Sequence, residues 1–275
     1  ILQKCVPEYI CIELSSYQLE ISKNIKAKII IFTSFSADHL DRHMTIENYF
    51  NAKWSIVETN PEVPLICSQE VYDFALNLGK IFPTETMVYS KDLSKPLSIE
   101  GVINAPHNLQ NAWMAQQACK KICPSEINIA AVASFAGLEH RCEIIENTAN
   151  LLIINDSKST NVNSTITALN SFKMPLVLIL GGIAKHETFA PLTDFANVLH
   201  VVAFGKDKAK IKKDLESKLS ISLATDIDEA TKIAFEFSQK NRKTILLSPG
   251  CASFDQFENF AIRGKVFKIC VKKQL

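Results

Sequence analysis

Apolar residues recur along this chain with two spacings. Short runs, YICIEL (9–14), AKIIIF (27–32) and VPLIC (63–67), mark the first part, each followed by a polar loop or a helical pattern. HNLQNAWMAQQACKK (107–121) and PSEINIAAVASF (124–135) instead repeat apolar positions every three or four residues, the period of an amphipathic helix, and Pro124-Ser125 is a helix opening. Beyond Gly137 the alternation sharpens. LLII (151–154), PLVLIL (175–180), LHVVAF (199–204), SISLAT (220–225) and KTILLS (243–248) predict strands. NSTITALNSF, DKAKIKKDLESKL, DEATKIAFEFSQK and FDQFENFAIRGKVFKICVKK predict helices. Strands alternating with helices predict an α/β fold with a parallel sheet covered on both faces. The pattern divides into two domains, residues 1–137 and 138–275, without a low-complexity linker or a repeat.

In an open parallel sheet, ligands lie beyond the carboxyl ends of the strands. NDSKSTN (155–161) follows LLII there, GGIAK (181–185) follows PLVLIL, and SPGCASFD (248–255) follows KTILL, so three polar loops are expected to share one edge. Each has a plain alternative. Asn161 or Ser164 could cap the next helix, although no cap needs Lys158, which points to an anion. Gly181 and Gly182 make a tight turn with a solvated Lys185, or let the backbone approach a charged ligand that Lys185 neutralises. Ser253, at the expected mouth of the last helix, suits a carboxylate or is a simple N-cap. In the first domain Glu13 ends the run YICIE and His39 follows AKIIIFTSF; a carboxylate and an imidazole at strand ends can hold a divalent cation, or the histidine is a structural hydrogen-bonder. Lys53, in NAKW, reads locally as an exposed helix lysine.

Composition narrows the classes. With 30 basic and 29 acidic residues and a net charge of +1, nothing attracts a polyanion, which argues against nucleic acid. The longest apolar runs fall far short of the ~20 residues of a membrane span, and ILQKCVPEY is no secretory signal. Eight scattered cysteines without a CxxC pair are read as buried thiols of a reducing compartment, hence the cytoplasm.

Seven motifs occur in an order that resembles the Mur ligases. They are ELSSYQLE (13–20), SADHLDRH (36–43) with NAK (51–53), HNLQNA (107–112), GLEHR (137–141), NDSKSTN, GGIAK and LLSPGCASFDQFENFAIRG (246–264). DSKSTN and CASFDQF point to the D-glutamate-adding branch, and the folylpolyglutamate synthetases are the nearest competitor. The resemblance implies an incomplete central ATPase-type parallel-sheet domain followed by a Rossmann-like C-terminal domain. It implies ATP-dependent addition of D-glutamate to UDP-N-acetylmuramoyl-L-alanine through an acyl phosphate, by a cytoplasmic monomer with no membrane insertion. By the same resemblance Glu13, His39 and a carbamylated Lys53 serve Mg²⁺. His107, Asn108 and Asn111 face nucleotide, with Asn111 at adenine. Arg141 and Asp156 grip ATP phosphates and ribose across the domain joint. Lys158, Thr160, Lys185, Ser253, Phe254 and Phe260 form the pocket for D-glutamate and the acyl phosphate. Lys158, Lys53 and His39 are the expected catalytic residues.

The family's phosphate loop, GxxGKS/T, has no counterpart here: Gly79-Lys80 and Gly264-Lys265 are followed by Ile and Val. With the missing initiator Met, this is read as an N-terminally truncated form of a longer enzyme, or as a degraded or split product. Ligase chemistry is then expected to be weak or absent. An inactive α/β binding module retaining D-glutamate or nucleotide affinity is the alternative; a dehydrogenase half lacks its GxGxxG. Cys142, Trp113 and Met114 depart from the usual residues and are read as packing changes.

Overall fold

A computed structural model describes residues 8–22, 24–90, 106–122, 135, 137–185, 187–238 and 243–275. The chain forms two compact units, one within residues 1–97 and 110–128 and the other within 98–109 and 129–275. The predicted helix over 124–135 lies almost wholly outside the described residues.

The first unit holds a parallel three-stranded sheet in the order β1 (Ile30–Phe32), β2 (Leu65–Ser68), β3 (Thr86–Tyr89). Alternate residues of β2 face opposite cores, as the two-residue period of a strand requires. Leu65 and Cys67 pack with Phe32, Phe50, Trp54 and Val71, whereas Ile66 packs with Tyr89, Met114 and Ala118. Phe50 and Trp54 lie one turn apart on α3 (Ile46–Glu58), Val71 on α4 (Gln69–Asn77), and Met114 and Ala118 on α5 (Pro106–Ile122). Two shorter helices, α1 (Ser16–Ile21) and α2 (Leu40–His43), complete the described part. Ser15, Thr45 and Ser68 cap α1, α3 and α4 through their hydroxyls, each satisfying an amide the helix leaves open.

YICIEL is not a strand. Residues 9–14 carry no regular structure, and Ile10 and Ile12 are 72% and 63% exposed. A strand needs a partner ladder as well as a pattern, and no described strand pairs with this segment. Met114 is fully buried, in keeping with its reading as a packing residue.

The second unit holds a six-stranded sheet in the order β4-β5-β9-β6-β7-β8. The strands are β4 (Glu143–Asn147), β5 (Leu151–Asn155), β6 (Leu176–Gly181), β7 (Val198–Phe204), β8 (Ile221–Leu223) and β9 (Lys243–Leu247). All neighbours pair parallel except β4, which runs antiparallel to β5 at the edge. Leu178, Leu180, Ile154, Val201 and Leu246 fill one face, packed with Ala168 and Leu169 of α6 (Val162–Ser171) and Ile211 and Leu215 of α7 (Lys208–Leu215). Val177, Ile179, Ile153, Val202 and Ile245 fill the other. They meet Ala230 and Ala234 of α8 (Ile227–Ser238) and Phe267 and Val271 of α9 (Phe260–Gln274). The continuous apolar runs are thus central parallel strands covered on both faces.

Of the six described cysteines none is disulfide-bonded and four are buried, with Cys67 and Cys251 pushed up to about 12 by burial. Among the described residues no helix is long and apolar enough to cross a membrane.

Candidate functional site

Because β5, β9 and β6 are neighbours, the loops that leave their carboxyl ends meet at one edge of the second unit. Main-chain bonds stitch them together. The Gly250 amide donates to the Ser159 carbonyl at 3.0 Å, the Gly181 amide to Pro249 at 3.0 Å, and Ile183 and Ala252 exchange bonds of 2.8 and 2.9 Å. Asp156 closes the first loop. Its Oδ1 accepts from the Cys142 amide at 3.1 Å, and its Oδ2 from the Ser159 and Ser248 hydroxyls at 2.6 and 2.8 Å. Burial pushes the Asp156 carboxyl up from its ordinary value, against these donors, which favour the anion. Asn161 caps α6 by accepting from the Ser164 amide at 2.8 Å, as its place in the sequence suggests. Glu187, from the loop after β6, accepts from the Val162 amide at 2.8 Å.

Lys158 extends from this edge with Nζ 5.0 Å from the centre of the Phe260 ring, a cation–π distance, while its amide donates to the His140 carbonyl at 3.0 Å. Thr160, on the same loop, and Lys185, on the loop after β6, are half-buried. Phe254 is 70% exposed and, with Ile183, Lys206 and Thr225, lines an open cleft of about 540 Å³. Arg141 is exposed, and its amide donates to the Leu138 carbonyl at 3.2 Å.

Two expectations about this edge need correction. Ser253 does not stand at the mouth of the last helix. It is 2% exposed and heads a turn, its carbonyl accepting from the Gln256 and Phe257 amides at 3.3 and 2.9 Å. The helix starts at Phe260 under Asn259, whose Oδ1 accepts from the Ile262 amide at 2.9 Å. The Gly181-Gly182 pair, second, answers to the chain itself. A Cβ on Gly182 would lie 2.1 Å from the Ala252 carbonyl oxygen, and one on Gly181 2.2 Å from that of Phe204.

One residue missed in the sequence dominates the site's underside. Arg263 of α9 is fully buried. Its Nε donates to Ser157 Oγ at 3.0 Å, Nη2 to the Ser157 carbonyl at 2.8 Å, and Nη1 to the Cys251 and Gly181 carbonyls at 3.0 and 3.3 Å. Burial lowers its pKa to about 10. The signal was there: along α9 the buried positions 263, 264, 267, 270 and 271 follow helical spacing, and an arginine occupies the first of them.

In the first unit the polar residues cluster around α1, α2 and α3. The Tyr17 hydroxyl and His39 Nδ1 are 3.3 Å apart, and Ser16 Oγ and His43 Nε2 are 2.9 Å apart and buried. Glu20 lies 3.5 Å from His43 Nδ1 and 2.9 Å from Arg42. His39 adopts φ 54°, a left-handed conformation that is costly for a residue with a Cβ and that recurs at functional sites. Lys53 Nζ lies 5.3 Å from the Tyr49 ring centre and 5.9 Å from that of Phe32. Burial holds the Lys53 amine below the ordinary lysine range, partly offset by Asp38 and Glu13. The sequence therefore misjudged Lys53 as a solvated helix residue when read locally. Glu13, exposed, ends no strand.

Among the described residues no three His, Cys, Asp or Glu side chains form a ready metal cage. A carboxylate or two with an oxygen-rich ligand fits Mg²⁺, which keeps water and phosphate oxygens rather than demanding an all-protein cage. Glu13 and Asp38, both felt by Lys53, are donors of that kind. On α5, Asn108 is half-buried and Asn111 exposed. His107 is held below the usual imidazole range by burial and then by Arg141.

Comparison with known proteins places these features in a family. Residues 2–95 match the Mur ligase middle domain. The chain is 34% identical over 293 residues to the UDP-N-acetylmuramoylalanine–D-glutamate ligase of Prochlorococcus marinus (strain NATL2A), covering 97% of this chain and 62% of that protein. It is 35% identical over 279 residues to the enzyme of the same name from Latilactobacillus sakei (strain 23K), covering 93% and 61%. The chain thus spans about three-fifths of the length of these curated relatives. Solved structures share the fold. MurF ligase from Thermotoga maritima in complex with ADP matches with TM-score 0.68 at 15% identity, covering 95% of this chain and 66% of that one. FolC from E. coli in complex with DHPP and ADP matches with TM-score 0.64 at 16% identity, covering 90% and 63%.

Proposed function

Because this chain belongs to the Mur ligase family, we propose that it carries the D-glutamate-adding part of an ATP-dependent, ADP-forming ligase. The reaction joins D-glutamate to UDP-N-acetylmuramoyl-L-alanine in cytoplasmic peptidoglycan precursor synthesis. The relatives that bear this activity by name align along nearly the whole chain. The observation that carries the reading is the meeting of three polar loops at the carboxyl ends of β5, β9 and β6, with Lys158, Lys185 and Phe260 on them or beside them.

In this mechanism the carboxylate of the muramoyl-alanine substrate attacks the γ-phosphorus of ATP. The new bond is carboxyl oxygen to phosphorus, ADP leaves, and an acyl phosphate results. Lys158 faces the transferred oxygens, its ammonium oriented by the Phe260 ring. The amine of D-glutamate then attacks the acyl carbon and phosphate departs. D-Glutamate carries two carboxylates, and Lys185, Thr160 and Ser253 supply the cation and donors that hold them, with Phe254 and Phe260 as walls. Ser253 is buried, so its donor reaches a carboxylate only at the edge of its turn. Asp156 and Arg141, with Asn108 and Asn111, are assigned to nucleotide; Asp156 does so while holding the loop that bears Lys158. Glu13, His39 and a carbamylated Lys53 would hold Mg²⁺, which when bound offsets charge on the phosphates. Carbamylation needs an unprotonated amine, and burial of Lys53 favours that form.

Calorimetry tests the substrate assignment. D-Glutamate should bind the wild-type chain, and Lys185→Ala should weaken that binding by about 1.5–3 kcal/mol, the usual scale for a hydrogen bond to a charged group, while leaving nucleotide binding nearly unchanged. Equal loss for both ligands would remove Lys185 from the amino-acid pocket.

A further inference from the structure

We propose that Arg263 is a positioning residue for the amino-acid pocket: its guanidinium sets the mutual register of the three loops that carry Lys158, Lys185 and Ser253. The inference rests on the D-glutamate reading above and deepens it. None of the four bonds of Arg263 reaches a substrate-facing group. Two go to Ser157, one residue before Lys158; one goes to the carbonyl of Gly181, which opens the loop to Lys185; one goes to the carbonyl of Cys251, two residues before Ser253. A single planar fork thus touches all three loops. Ser157 extends the reach, since its hydroxyl donates to the Phe260 carbonyl at 2.8 Å, beneath the ring that faces Lys158.

The chemistry explains why this position needs arginine. Its donors point in fixed, divergent directions in one plane, whereas a lysine presents a single nitrogen that cannot span acceptors on three segments. The four acceptors are all neutral oxygens. The charge is therefore buried, far from water, with no carboxylate among its hydrogen-bond partners. Burying a cation this way is costly unless its hydrogen bonds are numerous and well placed. Elsewhere on α9 the inward positions are apolar, since Phe267, Cys270 and Val271 fill the adjoining core. The arginine instead stands where α9 meets the loops.

The test uses the full chain in three forms: wild type, Arg263→Lys and Ser157→Ala. D-Glutamate binding is measured by calorimetry, and amide hydrogen exchange is followed at residues 156–160, 181–185 and 250–254 and in the sheet. Arg263→Lys should bind at least about tenfold more weakly and should exchange faster in all three loops while amides of β6 and β9 keep their protection. Ser157→Ala, which leaves the arginine in place but removes one acceptor and the Phe260 link, should show a smaller loss, with faster exchange concentrated in the first loop. If Arg263→Lys does not fold, the Ser157→Ala pattern decides alone. Unchanged binding with unchanged loop exchange in a folded Arg263→Lys, or in Ser157→Ala when that variant decides, overturns the proposal; so does a uniform rise in exchange across loops and sheet, which is the mark of a purely structural residue. Failure of the wild type to bind D-glutamate overturns the substrate reading, and loop exchange alone then decides whether Arg263 sets the register.

Discussion

Lys53 shows what a residue's surroundings do to its chemistry. Half-buried against the Tyr49 and Phe32 rings, its amine loses a proton more easily than an exposed lysine would. More neutral amine means faster capture of carbon dioxide, so a carbamate should form in bicarbonate buffer as pH rises and be lost on acidification. A carbon-13 carbamate resonance in labelled bicarbonate, absent from Lys53→Arg, is the expected result; a resonance unaffected by that substitution would place the modification elsewhere. Asp156 tells a complementary story. Its side chain looked in the sequence like a ligand group at a strand end, and in the fold its oxygens already accept from Cys142, Ser159 and Ser248. Helical spacing could mark Arg263 as inward-facing, but not what it binds, because its partners lie 12 to 106 residues away.

At the scale of elements, hydrophobic period located β5, β6, β7, β8 and β9 and the helices between them, because a strand buried on both faces must be apolar throughout. It passed over β3 and β4. Thr86-Met87-Val88-Tyr89 is mostly half-buried, and β4 is an edge strand with Glu143, Glu146 and Asn147 in it, so neither advertises itself. The converse error is YICIEL, strand-like in pattern yet unpaired among described residues, since pairing is a property of a neighbour. The loop between β6 and its bridge to Ala252 offers a direct test of the close-approach argument. Gly182→Ala should cost roughly 2–4 kcal/mol, from a forced Cβ contact and a φ of 129°. Gly79→Ala, where φ is 65° but the space is open, should cost about 1 kcal/mol. Urea denaturation of both variants checks the difference, and equal losses would mean that backbone strain alone matters at Gly182.

For the molecule as a whole, the chain as given contains the loops for an amino acid but no GxxGKS/T to cradle triphosphate. This polypeptide, assayed alone with D-glutamate, muramoyl-alanine substrate, ATP and Mg²⁺, should release no ADP above background while still binding D-glutamate. Measurable turnover would reveal a phosphate site built by other residues. What the linear order of residues determined is the α/β class, the succession of buried strands and covering helices, the Mur ligase resemblance and the polar loops at strand ends, because each depends on local period or on a short motif. Tertiary structure alone decided which strands are neighbours, and hence that three loops widely separated in sequence share one edge. It alone decided that Gly181 and Gly182 answer to backbone, that Ser253 is buried ahead of α9, and that one buried guanidinium joins the loops. The reason is physical: hydrogen bonds and burial are settled by groups distant in the chain, and only a closed fold brings those groups within three ångströms or so of one another.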